Sequence, residues 1–280
     1  MYEIILTGAD GFIGSNLTKF FVKKNKKIYP VYKKNGDLKN KNIWDKFPKA
    51  NHLIHCAYKI NNKSKNPEKI FQQNIKILKN AIDYCVTNQS MMIFPSTIFF
   101  DKNKLNISSE ICCPSLSNIY MLSKYTCEKL IYFKCKQKKF RAVILRLYNI
   151  YGNLQKKNYM IPRLFNEIIK GDKLNYYNFS RDYLHVDDVN VAFMKSMKYN
   201  KTNFDVFNIG SGKSISAKNL AKMVGKISKN SINFNELKNL DNQAIVYTKA
   251  NINKAKKHLN WKPRVKLEEG LKRYYLSLKS

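Results

Sequence analysis

Acidic residues are scarce in this chain: 19 Asp and Glu stand against 52 Lys and Arg, a formal net charge of +33 over 280 residues. Such a balance ordinarily raises binding to nucleic acid or a membrane surface. The basic residues are spread along the chain, mostly as Lys beside Asn and Ile, and are not Arg gathered with aromatics in one element. No nucleic-acid partner is therefore expected. No apolar run approaches transmembrane length, which argues against membrane insertion, and the N-terminus enters a strand at Glu3-Ile4 with no signal-like segment. A cytoplasmic protein is expected. The six cysteines, at 56, 85, 112, 113, 127 and 135, form no Cys-x-x-Cys pair and have no metal-like His companions. Reduced structural thiols and no metal are expected. There is no internal repeat and no long low-complexity tract. With 44% hydrophobic residues the chain can still bury a sizeable core, as one large domain or two lobes.

What is present begins at the amino terminus. The apolar run Ile4 to Leu6 leads into Thr7-Gly8-Ala9-Asp10-Gly11-Phe12-Ile13-Gly14, which reads as strand, glycine turn and helix. Such glycines let the backbone turn tightly, let a pyrophosphate approach the main chain and let the helix pack on its strand, while the helix N-terminus offers amide donors. The spacing is Gly-x-x-Gly-x-x-Gly, not Gly-x-Gly-x-x-Gly. Farther on, Tyr120 and Lys124 are four residues apart, which stacks a phenol and an ammonium on one helical face. A tyrosine titrates near roughly 10 unperturbed, and a cation beside it favours the phenolate, so Tyr120 is expected to shift toward neutral pH.

Strand-like runs alternate with helical stretches through about residue 150, the pattern of a parallel sheet covered on both faces. A helix is predicted from Pro67 through Asn88, apolar at Ile70, Phe71, Ile75, Leu78, Ile82 and Cys85, before a strand in Ser90-Met91-Met92-Ile93-Phe94. After Gly152 the rhythm changes. Pro162, the segment Gly171 to Arg181 and the lysine-rich tail after Asn200 suggest a smaller, more irregular lobe.

The glycine turn and the Tyr-Lys pair, in this order, resemble the extended branch of the short-chain dehydrogenase/reductases, the nucleotide-sugar epimerases, dehydratases and 4-ketoreductases. The resemblance covers almost the whole chain. His55-Cys56-Ala57-Tyr58 is similar to the family's strand-four His-x-Ala-Ala signature, and Ile93-Phe94-Pro95-Ser96-Thr97 to its strand-five Ser/Thr segment. Arg146-Leu147-Tyr148-Asn149-Ile150-Tyr151-Gly152, Arg181-Asp182-Tyr183-Leu184-His185-Val186-Asp187-Asp188, Asn208-Ile209-Gly210-Ser211-Gly212 and Leu259-Asn260-Trp261-Lys262-Pro263 continue the match. The resemblance implies an α/β fold: a Rossmann-type doubly wound parallel sheet from residues 1–150 plus about 183–210, and a smaller sugar-binding lobe from about 151–182 and 211–280. It also implies a homodimer.

By the resemblance, Gly8, Asp10, Gly11, Phe12, Ile13, Gly14, Lys33, Lys34, Asp37, Leu38, Cys56, Ala57, Tyr58, Asn74, Tyr120 and Lys124 hold the cofactor. Ser96, Thr97, Asn149, Arg163, Arg181 and Tyr247 meet a nucleotide-diphosphate sugar. Ser96 donates to the sugar oxygen, Tyr120 gives or takes its proton, and Lys124 assists Tyr120 and holds the nicotinamide ribose. The register weakens at Phe100 and Asp101, where the family has Tyr-Gly, so Thr97 stays open as the catalytic hydroxyl. Arg181 suits a diphosphate as a planar bidentate donor, or forms a salt bridge to Asp182 or Asp187. His185 is expected to order its loop and Trp261 to pack in the core.

The strand after the first helix ends in Lys33-Lys34, where an NAD-preferring unit would carry an acid for the ribose hydroxyls. NADP(H) is favoured, with NAD(H) possible. The family's 4,6-dehydratases follow the catalytic Thr with Asp-Glu, and its double epimerases use a Cys and a His. This chain has Thr97-Ile98 and Tyr159-Met160 there. Chemistry at carbon 4 remains: NADPH-dependent reduction of a nucleotide-diphosphate 4-keto-6-deoxyhexose, or 4-epimerisation with retained NAD. A member that binds NADP(H) as a sensor without turnover is the reading from another class, and the presence of both Tyr120 and Lys124 argues against it.

Overall fold

Runs such as Met91-Met92-Ile93-Phe94 and Ala142-Val143-Ile144-Leu145 are apolar on both faces, and a strand of that kind is stable only with helices above and below it. The computed structural model describes residues 2–60, 66–101, 110–111, 114–116, 118–137, 140–177, 179–237 and 246–279. Six strands, β1 (Tyr2–Thr7), β2 (Ile28–Val31), β3 (Ala50–His55), β4 (Met91–Thr97), β5 (Ala142–Leu147) and β6 (Phe204–Ile209), form one sheet. Its order is β6-β5-β4-β3-β1-β2, and every neighbouring pair is parallel.

Side chains alternate between the two faces. Ile4, Leu6, Ile93, Val143 and Leu145 pack with Leu17 and Phe21 of α1 (Phe12–Lys23) and Val189 and Phe193 of α5 (Val186–Ser196). Ile5, Leu53, Met92, Phe94 and Ile144 pack with Leu78 and Ile82 of α2 (Pro67–Asn88) and Cys127 and Ile131 of α3 (Ile119–Lys136). Each fully buried side chain of this size stabilises the fold by roughly 1.5–3 kcal/mol.

Helix α2 has the predicted bounds. Asn66 caps it through Oδ1 on Lys69 N, Pro67 occupies the first turn, and Gln89 ends it in the left-handed region at φ 53°. Helix α3 is capped by Asn118, whose side chain accepts from Met121 N at 2.9 Å, and this fixes the turn that carries Tyr120.

Two expectations are corrected. The His55 segment ends the third strand, not a fourth, because residues between β2 and β3 form a 3-10 turn, Lys33–Asn35, and one helical turn, Lys41–Trp44. The stretch Lys33-Lys34-Asn35-Gly36-Asp37 has no apolar alternation with which to join a sheet. The boundary at 211–280 also cuts across the packing. Ala250, Ile252, Ala255, Leu259 and Trp261 return to the sheet's core, with Trp261 Nε1 donating to Asp188 O at 2.9 Å.

The second core is built from α4 (Met160–Lys170), α6 (Ala217–Ser228) and α8 (Leu267–Ser277), with Leu164, Phe165, Leu220, Val224 and Leu271 inside. A shorter helix, α7 (Asn253–Leu259), lies between them in the chain. Phe179–Arg181 pairs with Ile215–Ser216 and Val246–Tyr247, and Asn149–Tyr151 pairs with Tyr183–His185. Cys56, Cys85, Cys127 and Cys135 are free thiols, while Cys112 and Cys113 lie outside the described residues. Among the described residues no helix is long and apolar enough to cross a membrane, and no cluster of acids, His and Cys could hold a metal ion.

Candidate active site

The sheet reverses its winding between β1 and β3, and the crevice at their C-terminal ends is where ligands of such folds bind. Gly8 follows β1 with φ 73°, and a Cβ there would fall 2.6 Å from Ala57 N, just beyond β3. A Cβ on Gly14 would fall 2.1 Å from Gly8 O. Only glycine permits this closeness. Helix α1 starts from Gly11, which places no side chain on the first-turn amides, and no acid stands in that turn. Phe12 and Ile13 form the first turn itself, with Ile13 leaning on the sheet core.

Asp10 turns sideways: its Oδ2 accepts from Lys33 N at 2.5 Å and ties the glycine turn to the end of β2. A carboxylate thus stands beside Lys33 and Lys34, which the linear reading of β2 did not show. Beyond them, Asp37 accepts from Lys39 N at 3.0 Å, a bond that with the Lys39 ammonium holds its carboxyl below the usual range. Leu38 O accepts from Trp44 Nε1 at 2.9 Å and from Asn80 Nδ2 at 3.0 Å, pinning this rim.

Tyr58, next to Ala57, connects the glycine turn to α3. Its ring meets Tyr120 edge-on at 6.0 Å between centroids, and its hydroxyl donates to Ser123 Oγ. Asn74 reaches this loop as a clamp: its Oδ1 accepts from Lys59 N and its Nδ2 donates to Lys59 O, both at 3.0 Å. Tyr58, Asn74, Tyr120 and Ser123 line a small pocket with the apolar Ile70, Phe71 and Ile119.

Tyr120 is half-buried, and burial pushes its hydroxyl up to about 12, with the Thr97 hydroxyl facing it and pulling the other way. This reverses the expected shift toward neutral. Lys124, only 4% exposed, donates to Pro95 O at 2.8 Å and lies over the Tyr58 ring. Helical spacing puts the two residues on one face but does not choose where a long lysine stem ends. Burial pulls Lys124 down to about 8, with Cys127, Cys56 and Glu128 opposing.

Both candidate hydroxyls reach the end of β4. Thr97 faces Tyr120, while Ser96 Oγ is buried without a hydrogen-bond partner, on the strand face shared with Phe94. A buried hydroxyl left in that state costs about 1–3 kcal/mol, so it is a place where a ligand oxygen would be welcome.

On the other lobe, Asn149 Nδ2 donates to Asp182 O at 2.9 Å, so its amide group is drawn into the backbone of the neighbouring ladder. Arg181 makes neither expected salt bridge. Asp182 instead accepts from Ser211 N, Gly212 N and Ala250 N at 2.7 to 3.0 Å, and Asp187 pairs with Arg273 and His185. The Arg181 guanidinium stacks 4.6 Å over Phe179, and with Arg163 it adds positive charge beside the buried Tyr183 hydroxyl. Arg163 lies 3.6 Å from Glu167 and 4.9 Å over Tyr176. Tyr247, half-buried, pairs with Ser180 on the adjoining strand.

The sequence reading missed two organisers. Asp182 lies inside the Arg181–Asp188 motif but from sequence is expected only as an alternative ion-pair partner of Arg181, not as the acceptor that gathers Ser211, Gly212 and Ala250. Glu128, four residues after Lys124, forms a bidentate pair with Arg146 at 2.8 and 3.1 Å. The same helical spacing that picked out Lys124 would have found Glu128.

Residues 4–210 match the model of the NAD dependent epimerase/dehydratase family. The chain belongs to that family. It is an NAD(P)-dependent oxidoreductase of the nucleotide-sugar class. A curated relative, the dTDP-4-dehydro-6-deoxyglucose reductase of Escherichia coli, is 32% identical over 57% of this chain and 52% of its own, so the match spans about half of that enzyme. The ADP-L-glycero-D-manno-heptose-6-epimerase of Brachyspira hyodysenteriae is 25% identical over 97% of this chain and 96% of its own. Among solved structures, the UDP-glucose 4-epimerase of Thermus thermophilus in complex with NAD superposes with TM-score 0.85 at 19% identity, covering 99% of each chain. RMD of Pseudomonas aeruginosa complexed with NADPH superposes with TM-score 0.86 at 20% identity, covering 99% of this chain and 98% of its own.

The family's cofactor fits the residues present. The glycine cradle that a Cβ would fill, the uncapped start of α1 and the Lys33-Lys34 corner suit a phosphate-rich dinucleotide.

Proposed function

We infer that this family member reduces the 4-keto group of a nucleotide-diphosphate 4-keto-6-deoxyhexose with NADPH, as in the making of deoxysugars for surface polysaccharides. The observation that carries this reading is Tyr120 facing the Thr97 hydroxyl at the end of β4, with Ser96 Oγ buried and unpartnered on the other face of the strand: burial pushes the phenol up to about 12. A reduction needs a proton donor at the sugar oxygen, and a phenol that keeps its proton at neutral pH is suited to that direction. The bound dinucleotide would supply the hydride. Ser96 and Thr97 orient the carbonyl, Tyr120 delivers its proton to O4, and the Lys124 ammonium stabilises the phenolate left behind. Arg181, free of the neighbouring carboxylates, and Arg163 meet the diphosphate. Lys33 and Lys34 attract a 2'-phosphate, with the Asp10 carboxylate acting against them.

The lack of Asp-Glu after Thr97 removes the groups for eliminating water. A second reading, 4-epimerisation with retained NAD, is supported by a match over 96% of both chains to a putative UDP-glucose 4-epimerase of Methanocaldococcus jannaschii, 26% identical. Under it Tyr120 must start as the phenolate that takes the sugar's proton, a form that the raised value disfavours.

The test is Tyr120→Phe. Oxidation of NADPH with the keto sugar should fall at least a hundredfold, the scale of a lost proton donor, while NADPH binding stays within a few-fold of the parent. Unchanged turnover would remove Tyr120 from the chemistry.

A further inference from the structure

Tyr58 departs from the His-x-Ala-Ala pattern, which has alanine where this chain has a phenol. Lys124 Nζ lies 3.6 Å from the centroid of its ring and 4.5 Å from that of Phe94. The same ammonium donates to Pro95 O at 2.8 Å. The ring itself is held in place. Its hydroxyl donates to Ser123 Oγ at 2.5 Å, one residue before Lys124, and Asn74 clamps the adjoining backbone of Lys59. Two aromatic faces and one carbonyl thus enclose a cation whose charge burial disfavours. An aromatic face attracts a cation through its quadrupole, most strongly where water is excluded. Burial also pushes the Tyr58 hydroxyl well above its ordinary range, so the ring stays neutral and the contact is cation–π, not an ion pair.

We propose that Tyr58 is a positioning residue for Lys124: its ring seats the ammonium at the end of β4, keeps it charged there, and holds it poised one turn from Tyr120. The groups facing Lys124 are His55, Cys56 and Tyr58 from the β3 end, Phe94 and Pro95 from β4, and Cys127 and Glu128 on its own helix, with Tyr120 one turn before it in the chain. Of these only Glu128 is a carboxylate, and Arg146 takes it at 2.8 Å. His55 is neutral, pulled down to about 3 by burial. The aromatic seat therefore supports the charge alongside a Glu128 carboxylate that Arg146 already shares. Its consequence for turnover rests on the reductase reading; the seat itself does not.

The test uses the full chain labelled with 15N-lysine, observed by NMR at the lysine side chains, with Lys124 assigned by its disappearance in Lys124→Met. In the wild type and in Tyr58→Phe, the Lys124 side-chain protons should be shifted upfield by the ring current and titrate near pH 8. Tyr58→Leu should lose most of the upfield shift, leaving the part due to Phe94, and titrate about one unit lower. Unshifted Lys124 protons in the wild type overturn the seat without any variant, and a Tyr58→Leu spectrum that matches the wild type does so too. In turnover, the alkaline limb of kcat/KM against pH should move by the same tenfold in proton concentration in Tyr58→Leu and stay in place in Tyr58→Phe. If the wild type turns over no keto sugar, the reductase reading fails while the lysine spectra still decide on Tyr58.

Discussion

Ser96 and Thr97 are neighbours at the end of β4 and meet different surroundings, because consecutive strand residues point to opposite faces. Thr97 has Tyr120 for company, whereas Ser96 Oγ is buried with none. Ser96→Ala should therefore leave the folded protein as stable or more stable, by up to about 1 kcal/mol in urea unfolding, since it removes an unpaired hydroxyl. The same change should cut turnover about a hundredfold, the scale of a lost donor at a developing oxyanion. A loss of stability with intact turnover would give the catalytic hydroxyl to Thr97. Motif spacing left these two residues open because the register fails at Phe100-Asp101, and burial separates them. The Tyr120–Lys124 pair was legible as a shared helical face. Where the ammonium ends was not, since that depends on Pro95 O and the Tyr58 ring, brought in from β4 and the end of β3.

Among the elements, α2 could be read to the residue because its signals are local: Asn66 as cap, Pro67 in the first turn and a left-handed Gln89. The missing strand between β2 and β3 and the return of residues 250–261 to the sheet could not, because both are decided by long-range packing. The tie between α3 and β5 is of the same kind. Arg146 and Glu128 are 52 and 4 residues from Phe94 and Lys124 in sequence, yet their bidentate pair, with side chains only 8% and 4% exposed, joins the helix of Tyr120 to the strand beside Ser96. Glu128→Ala should destabilise the protein by about 3–5 kcal/mol, since it removes the carboxylate paired with the buried Arg146 guanidinium. Replacing both partners by Met should recover much of that loss. A double variant as unstable as the single one would mean that the pair itself, and not relief of the charge left behind, stabilises the fold. Urea unfolding of both variants separates the outcomes.

For the molecule as a whole, a net charge of +33 suits ligands that carry phosphates, and the family supplies two: the dinucleotide and the sugar diphosphate. NADPH should bind at least tenfold more tightly than NADH, and the advantage should shrink as salt rises, because screening weakens the pull of Lys33 and Lys34 on the 2'-phosphate. Titration of both cofactors at low and high salt checks this. A preference for NADH would mean that the Asp10 carboxylate, tied to Lys33 N, governs that corner. The central claim, reduction at carbon 4, is tested most directly by incubating the protein with CDP-, dTDP-, GDP- and UDP-linked 4-keto-6-deoxyhexoses and NADPH while following NADPH absorbance and the sugar product. One of these substrates should consume NADPH in step with formation of a carbon-4 alcohol. Steady absorbance while the sugar interconverts would contradict the reduction and mark the protein as an epimerase.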